Sequence, residues 1–417
     1  MCPGCYKENV DGYCTTCLKK LFDGKKVSHI LPFDAPKDEN YKDYQDKTRK
    51  LSISGVQLKY SLKLDGKELQ LAETGGEYIL KPIPPSVQII NTSQAPENEH
   101  LTMQIASQIF DIDTADNALI YFKDGTPAYI TRRFDINPEG GKFLQEDMAQ
   151  INGKTKQSHG ENFKYEGDYE EIGKLISKFV PASMPSLEAF FKLLVFNYVF
   201  SNGDAHLKNF SLIQSPMGDY TLSRAYDLMC TELHTPDERE TAIDLYEGDD
   251  DNEFYARERR YGQVSFRELA KRLGIQSTRV HRIINNLLTA RDKVESMINS
   301  SMLNEKSKAN YLKYYHGKLS IMGMTEIMIA NALDINKHDQ FPSDRLARIT
   351  FFRPRRTITG KFINKLVNDT PRIENNLYYF VESEHIEKYD LNQDEQYLTI
   401  IEGDAVISVE PFTPAAG

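Results

Sequence analysis

Asp204, Asn209 and Asp227 are the residues whose types and spacing point to chemistry. The first two stand five residues apart in Asn202-Gly203-Asp204-Ala205-His206-Leu207-Lys208-Asn209-Phe210-Ser211, and Asp227 follows a short hairpin. In phosphoryl transfer an Asp-x4-Asn loop lets the carboxylate accept the proton of an attacking hydroxyl while the amide holds Mg²⁺. A second metal carboxylate then follows the hairpin, and Asp227 occupies that place. Taken alone, the pair fits equally well an Asx-turn at Asp204 and a solvated Asp227.

Catalytic groups need rigid support. Leu187, Phe190, Phe191, Leu194, Phe196 and Tyr198 lie nearly all round a helical wheel, which predicts a buried helix ahead of the loop. Residues 210–214 and 220–223 read as strands around the turn Ser215-Pro216-Met217-Gly218. Upstream, alternating runs predict a small sheet: 60–64 turning at Asp65-Gly66 into 68–71, then 77–83, then 118–122 paired with 128–134 around Asp124-Gly125. Lys81 ends the third strand, where a kinase lysine meets nucleotide phosphates. Glu99 is its expected partner, in the first turn of a helix that opens at Pro96 and runs to Phe110. Separately, Lys81 also reads as a surface charge and Glu99 as a partner of the helix dipole. Residues 51–59 form a loop of small residues whose N–H groups could wrap phosphates, although an ordinary hairpin turn fits them as well.

The chain has 417 residues, 40% of them apolar, enough for two or three domains. Its longest apolar run, 190–200, is interrupted by Lys192 and Asn197 and is too short to span a bilayer. The first twenty residues are polar and cysteine-rich rather than signal-like, so a cytoplasmic, non-membrane protein is expected. A net charge of −10 and a pI near 5.5 argue against direct nucleic-acid binding. Cys2-x2-Cys5-x8-Cys14-x2-Cys17 reads as paired knuckles presenting four thiolates to a structural Zn²⁺. A redox pair is the rival, without the βαβ context it needs, and Cys230 is expected in the core.

Residues 145–148 are expected to begin a polar helix, and Lys164-Tyr165-Glu166 to close a loop. The acidic run 247–253 reads as a solvated loop. Ser265-x-x-Glu268 reads as a capping box. Residues 268–275 and 280–284 resemble a helix-turn-helix, as in DNA-binding proteins or in any helical lobe. A further long helix is expected to about Tyr315. Beyond it, strand-like runs at 349–352, 377–381, 397–401 and 405–409, with turns at 369–376 and 402–404, predict a small α+β domain.

With these pieces in order, the chain resembles the HipA-like serine/threonine kinases of bacterial toxin–antitoxin systems. Ser52-Ile53-Ser54-Gly55-Val56-Gln57-Leu58-Lys59 resembles their phosphate loop, and Asn98-Glu99 their helix motif. Gln145-Glu146-Asp147-Met148 with Lys164-Tyr165-Glu166 resembles their mid-chain signature, and Asn202 to Ser211 with Tyr226-Asp227 their catalytic and metal segments. The resemblance covers residues 27–319. It implies an α+β, two-lobed protein-kinase-like fold with a small lobe over 23–140 and a helical lobe over 141–322. A zinc knuckle at 1–22 precedes these and an extra α+β domain at 323–417 follows.

By this resemblance Asp204 is the catalytic base, and Asn209 and Asp227 hold Mg²⁺. Ser52, Ser54, Gly55, Gln57, Lys59, Lys81 and Glu99 surround ATP, and Ser52 and Ser54 are autophosphorylation sites. It implies a toxin acting on a protein substrate such as an aminoacyl-tRNA synthetase. With some fifty residues before the phosphate loop, the chain resembles the short, split members. The partners implied are a separate small protein like the missing N-terminal subdomain, or an antitoxin, and a DNA-binding antitoxin. On the residues alone, a small-molecule phosphotransferase and a zinc-containing transcriptional regulator stay open.

Overall fold

A computed structural model describes residues 1–37, 58–84, 89–236, 238–251, 253–323, 346–351, 357–362, 377–386, 399–402 and 406–411. Ser52, Ser54, Gly55 and Gln57 of the expected phosphate loop lie outside the described residues, as do residues 369–376 and 403–404. Met1–Asp249 with Arg267–Lys318 form one compact unit, and Asp250–Phe266 with Leu319–Gly417 form a second.

In the first unit, alternation of apolar and polar residues builds a five-stranded antiparallel sheet. Its strands are β1 (Tyr60–Asp65), β2 (Glu68–Leu71), β3 (Tyr78–Pro82), β4 (Asn117–Tyr121) and β5 (Pro127–Arg132), in the order β2-β1-β3-β5-β4. Tyr60 and Leu62 of β1 and Tyr78 and Leu80 of β3 point into one core. The β1–β2 turn pairs Asp65 with Glu68 and places Gly66 at φ 60°, a conformation glycine adopts without a Cβ penalty.

The cysteine-rich segment is too short to build a core of its own and shares that of the sheet. Its helix, Thr15–Phe22, buries Leu21 and Phe22 among Leu62, Leu80, Ile120 and Ile130. The helix Ala95–Gln108 packs on β4 and β5. It is buried over its first twelve residues, including Glu97, Asn98, Glu99 and His100. So many polar side chains inside a helix mark it as more than a packing element.

The helix Ser183–Val199 is buried along nearly its whole length, as its apolar wheel predicts. It leads into a second antiparallel sheet of β6 (Gln145–Asp147), β7 (Ser211–Gln214) and β8 (Tyr220–Leu222), in the order β6-β7-β8. Residues 145–147 are therefore a strand, not the start of a helix. Asp147 ends it as the N-cap of the one-turn helix Met148–Ile151, closing a capping box with Gln150. Helices Tyr169–Phe179, Ser277–Thr289 and Arg291–Ser300 also belong to this unit. Gly173 has no Cβ because one would stand 2.2 Å from a methyl of Leu273.

Three other expectations change. Ser265 caps nothing: the helix Gln263–Arg272 begins two residues earlier and buries Ser265 inside it. The long helix expected to Tyr315 is broken after Ser300 and resumes as Glu305–Gly323, with Asn304 accepting the Ser307 N–H at 2.9 Å. In the acidic run Asp249 is buried, because its carboxylate accepts the Leu245 N–H at 2.6 Å.

In the second unit, β9 (Leu346–Phe351), β10 (Thr357–Phe362), β11 (Leu377–Glu382), β12 (Thr399–Glu402) and β13 (Val406–Pro411) form one antiparallel sheet in the order β12-β11-β10-β9-β13. Sequence reading passed over β10, which carries Gly360. A Cβ there would meet the Val381 carbonyl oxygen at 2.0 Å, so close strand approach selects the glycine that weakens the strand signal. The helix Glu253–Glu258 belongs to this unit, where Phe254, Val264 and Ile321 form a small cluster.

Candidate active site

Lys81 lies on β3, paired on one side with β1 and on the other with β5. Its ammonium is 2.5 Å from Glu99 Oε1, and the two side chains are 4% and 1% exposed. The same ammonium touches the Asp227 carboxylate and stands 5.3 Å from the centre of the Tyr129 ring. Lys59, just before β1, reaches the other oxygen of Asp227 at 3.2 Å. Burial pulls the Lys81 pKa down, but Asp227 and Glu99 outweigh it and hold the group above the ordinary lysine value. Burial likewise opposes ionisation of Asp227, yet Lys59 and Lys81 keep its carboxyl well below the usual range. Asp227 sits at φ 57°, a left-handed conformation uncommon outside glycine and of the kind concentrated at functional sites.

The helix Ser183–Val199 ends at Phe200, whose ring stacks on Phe196 and Tyr315. Beyond it the chain is tied down residue by residue. Asn202 Nδ2 donates to Asn197 Oδ1 at 2.9 Å, and the Gly203 N–H donates to Thr231 Oγ1 at 2.8 Å. The Thr231 hydroxyl in turn contacts the Glu238 carboxyl, which burial pushes up to about 7. Gly203 is confined: a Cβ would stand 2.5 Å from the Arg239 carbonyl oxygen.

Asp204 follows with its side chain 48% exposed and accepts a 2.6 Å hydrogen bond from Tyr165 OH. His206 Nε2 lies 3.9 Å from the second Asp204 oxygen and accepts from Lys164 Nζ at 2.8 Å. Burial pushes the His206 imidazole down to about 4 against the attraction of Asp204, leaving it neutral and able to accept. Burial also holds Lys164 below its ordinary value, with the Asp204 charge opposing that shift.

Asn209 closes the 3₁₀ turn Leu207–Asn209, and its Oδ1 accepts the His206 N–H at 3.2 Å. Lys208 donates to Asp147 Oδ2 at 3.0 Å, which couples the loop to β6. A cavity of about 330 Å³ is lined by Lys59, Lys81, Asp147, Lys208, Asn209 and Asp227. Lysines suit phosphate oxygens, while an amide oxygen and a carboxylate suit Mg²⁺, so the donor set fits a metal–nucleotide. A larger cavity of about 910 Å³, lined in part by Asp111, Lys192 and Arg282, contains none of these residues.

The structure thus joins Lys59, Lys81, Glu99, Asn209 and Asp227, with Asp204 linked to them through His206. Cys2, Cys5, Cys14 and Cys17 also converge, their Sγ atoms all within 4.8 Å of one another. The second helix of the expected helix-turn-helix turns Val280, Ile284 and Leu287 inward, and the helix packs on Ser183–Val199. Sequence reasoning missed Glu238 under the catalytic loop, and it gave Tyr165 and Lys164 no contacts. The partners of Tyr165 and Lys164 lie 39 and 42 residues away, a distance no local pattern encodes.

A sheet lysine paired with a helix glutamate, a loop Asp-x4-Asn and a carboxylate after the next hairpin define a kinase-type site. Residues 51–294 match the model of the HipA-like C-terminal domain, and the chain belongs to that family. A putative kinase of Haemophilus influenzae is 25% identical over 332 residues, covering 76% of this chain and 94% of the relative. The putative kinase Y4dM of Sinorhizobium fredii is 33% identical over 231 residues, 51% of this chain and 53% of its own. HipA of Shewanella oneidensis, solved with HipB and its operator DNA, is 18% identical with a TM-score of 0.47, covering 70% of this chain and 71% of its own. The chain thus spans nearly all of the Haemophilus relative and about half of the Sinorhizobium one.

Proposed function

We propose that the chain is an ATP- and Mg²⁺-dependent serine/threonine protein kinase of toxin–antitoxin type. The observation that carries this reading is the buried Lys81–Glu99 pair closing on Asp227 beside the Asp204–Asn209 loop. In it Asp204 takes the proton of the acceptor hydroxyl. Asn209 and Asp227 hold Mg²⁺, and Lys59 and Lys81 orient and neutralise the nucleotide phosphates. Phosphoryl transfer needs little else from the protein than this positioning and charge.

Ser52 and Ser54 are the proposed autophosphorylation sites. A phosphate there adds about −1.5 to −2 charge to a loop proposed to cradle ATP and would silence the enzyme. The proposed substrate is a translation component such as an aminoacyl-tRNA synthetase. The proposed partners are a small N-subdomain-like protein and a DNA-binding antitoxin, in a cytoplasmic setting. Among the described residues no helix is long and apolar enough to cross a membrane. Four cysteines with mutually close Sγ atoms support a structural Zn²⁺.

The test is intact mass after incubation with Mg²⁺ and ATP, beside Asp204→Asn. One or two added phosphates in the wild type alone, mapped to Ser52 and Ser54, are expected. ATP binding without any transfer, with or without an added partner, would sink the reading.

A further inference from the structure

Helix residues are separated by about 100° around the axis, so three in a row face three directions. Asn98, Glu99 and His100 are all buried, and each direction has an occupant. Asn98 bonds the backbone of Cys230, donating from Nδ2 to its carbonyl at 2.9 Å and accepting its N–H at 3.1 Å. Glu99 meets Lys81. His100 turns toward the cysteine cluster: its Nδ1 shares a 2.8 Å hydrogen bond with Tyr6 OH, and the two rings meet edge to face at 4.9 Å.

Tyr6 belongs to the first cysteine knuckle. It follows Cys5 directly, sits at φ 61°, and donates its N–H to the Cys2 carbonyl at 3.0 Å. The knuckle also grips β4, where the Leu119 N–H donates to the Pro3 carbonyl at 2.9 Å and Tyr13 OH donates to the Leu119 carbonyl at 2.8 Å. The cluster itself has the make-up of a thiolate metal centre. The Gly4 and Cys14 N–H groups point at Cys2 Sγ at 3.4 and 3.2 Å, the pattern by which backbone donors stabilise a ligating sulfur. A side chain at Gly4 would stand 2.7 Å from Cys17 Sγ, so the turn has room only for glycine beside the four sulfurs.

We infer that the Cys2–Cys5–Cys14–Cys17 centre binds one Zn²⁺ and, through Tyr6 and His100, holds the helix that carries Glu99 in register with Lys81. The zinc is then a positioning element of the kinase site as well as a clasp for the N-terminus. Binding deprotonates the four thiols and fixes both knuckles in one tetrahedron. Removing the ion frees the Tyr6 turn, and the buried His100 loses its partner. The Ala95–Gln108 helix then keeps its packing on β4 and β5 and its Asn98 bonds but loses its tie to the knuckle, and Glu99 tracks Lys81 less closely. This rests on the kinase reading only for its consequence in activity; zinc content and helix protection are independent of it.

The experiment uses the full chain. Elemental analysis after purification without added metal is expected to give about one zinc per chain, and Cys14→Ser to lower it at least several-fold. Zinc is then stripped with a chelator, and hydrogen exchange is followed over peptides from residues 95–108. Exchange there is expected to quicken about tenfold on stripping and to return when zinc sulfate alone is added back. Tyr6→Phe is expected to keep its zinc yet show faster exchange in the same peptides. Absence of stoichiometric zinc overturns the inference. So does zinc whose removal leaves exchange in this helix within about twofold while the knuckle peptides open. If zinc and exchange behave as expected but neither form transfers phosphate, the kinase reading fails and the metal-to-helix link stands.

Discussion

Replacing Lys81 by methionine, Glu99 by leucine, and then both, separates the electrostatics of the buried pair from its role in catalysis. Lys81 and Glu99 are almost wholly withdrawn from water. Lys81→Met leaves Glu99 ionised with no counter-charge, or forces it to take up a proton. Breaking a buried pair from one side in this way costs about 3–5 kcal/mol. Glu99→Leu is milder, because Lys81 keeps Asp227. The double variant replaces two buried charges with apolar volume, which is often close to neutral. Asp227 then retains Lys59 and partial solvent access.

The two losses therefore do not add, and the coupling is expected to be at least about 2 kcal/mol. The chain has no tryptophan, so urea unfolding followed by far-UV ellipticity is the suitable readout. The double variant should recover most of the stability lost in Lys81→Met. It should still lose phosphoryl transfer by at least about 10²-fold, because the proposed phosphate ligand Lys81 is gone. Additive losses, within about 0.5 kcal/mol, would show that the pair is not coupled and refute the argument from burial.

Gly203→Ala would push the catalytic loop off the Arg239 carbonyl. A drop in turnover of about 10²-fold with nucleotide affinity retained is expected from steady-state kinetics and ATP titration. Tyr165→Phe removes the hydrogen bond that orients Asp204, a bond to a charged group worth about 1.5–3 kcal/mol. Its kcat should fall about 10- to 100-fold with little change in KM for ATP, and an unchanged kcat would remove Tyr165 from the site. Glu97 is buried, and burial pushes its carboxyl up to about 7 from an ordinary 4.5. A raised folded-state value stabilises below pH 4.5 and is lost as pH climbs through 7, on the order of 3 kcal/mol in all. Urea midpoints should fall over that interval in the wild type and fall less steeply in Glu97→Gln, where Glu238, pushed up to the same value, keeps part of the slope.

Much of the first unit was legible because its signals are local. The Asp65-Gly66 turn set the β1–β2 register, and the phenylalanine-rich wheel from Leu187 marked a buried helix. The Asp204–Asn209 spacing survived as a loop and a 3₁₀ turn. Where local signals conflict with tertiary context, the context won. Residues 145–147 look polar and helical but pair with β7, because Asp147 serves both as strand end and helix cap. Ser265 looks like a cap and is buried inside a helix that begins at Gln263. The cysteines showed a metal pattern, but their attachment to the glutamate helix depends on Tyr6 meeting His100 across 94 residues. No periodicity reports such a contact.

The loop around Asp204 combines a fixed backbone with a half-exposed side chain. Phe200 stacks on two rings, Asn202 is tied to Asn197, and Gly203 is wedged against Arg239 and tied to Thr231. These contacts fix where the Asp204 Cα lies but leave its χ angles unset. An exposed carboxylate with free rotamers would spend much of its time pointing away from an acceptor hydroxyl, and misplacement by an ångström is costly in rate. Tyr165 supplies the missing constraint from a separate turn, and His206, held neutral and anchored by Lys164, limits the other side. The mid-chain Lys164-Tyr165 pair and the Asp204 loop are therefore one hydrogen-bonded unit assembled from two distant segments, and on the proposed kinase reading they act together.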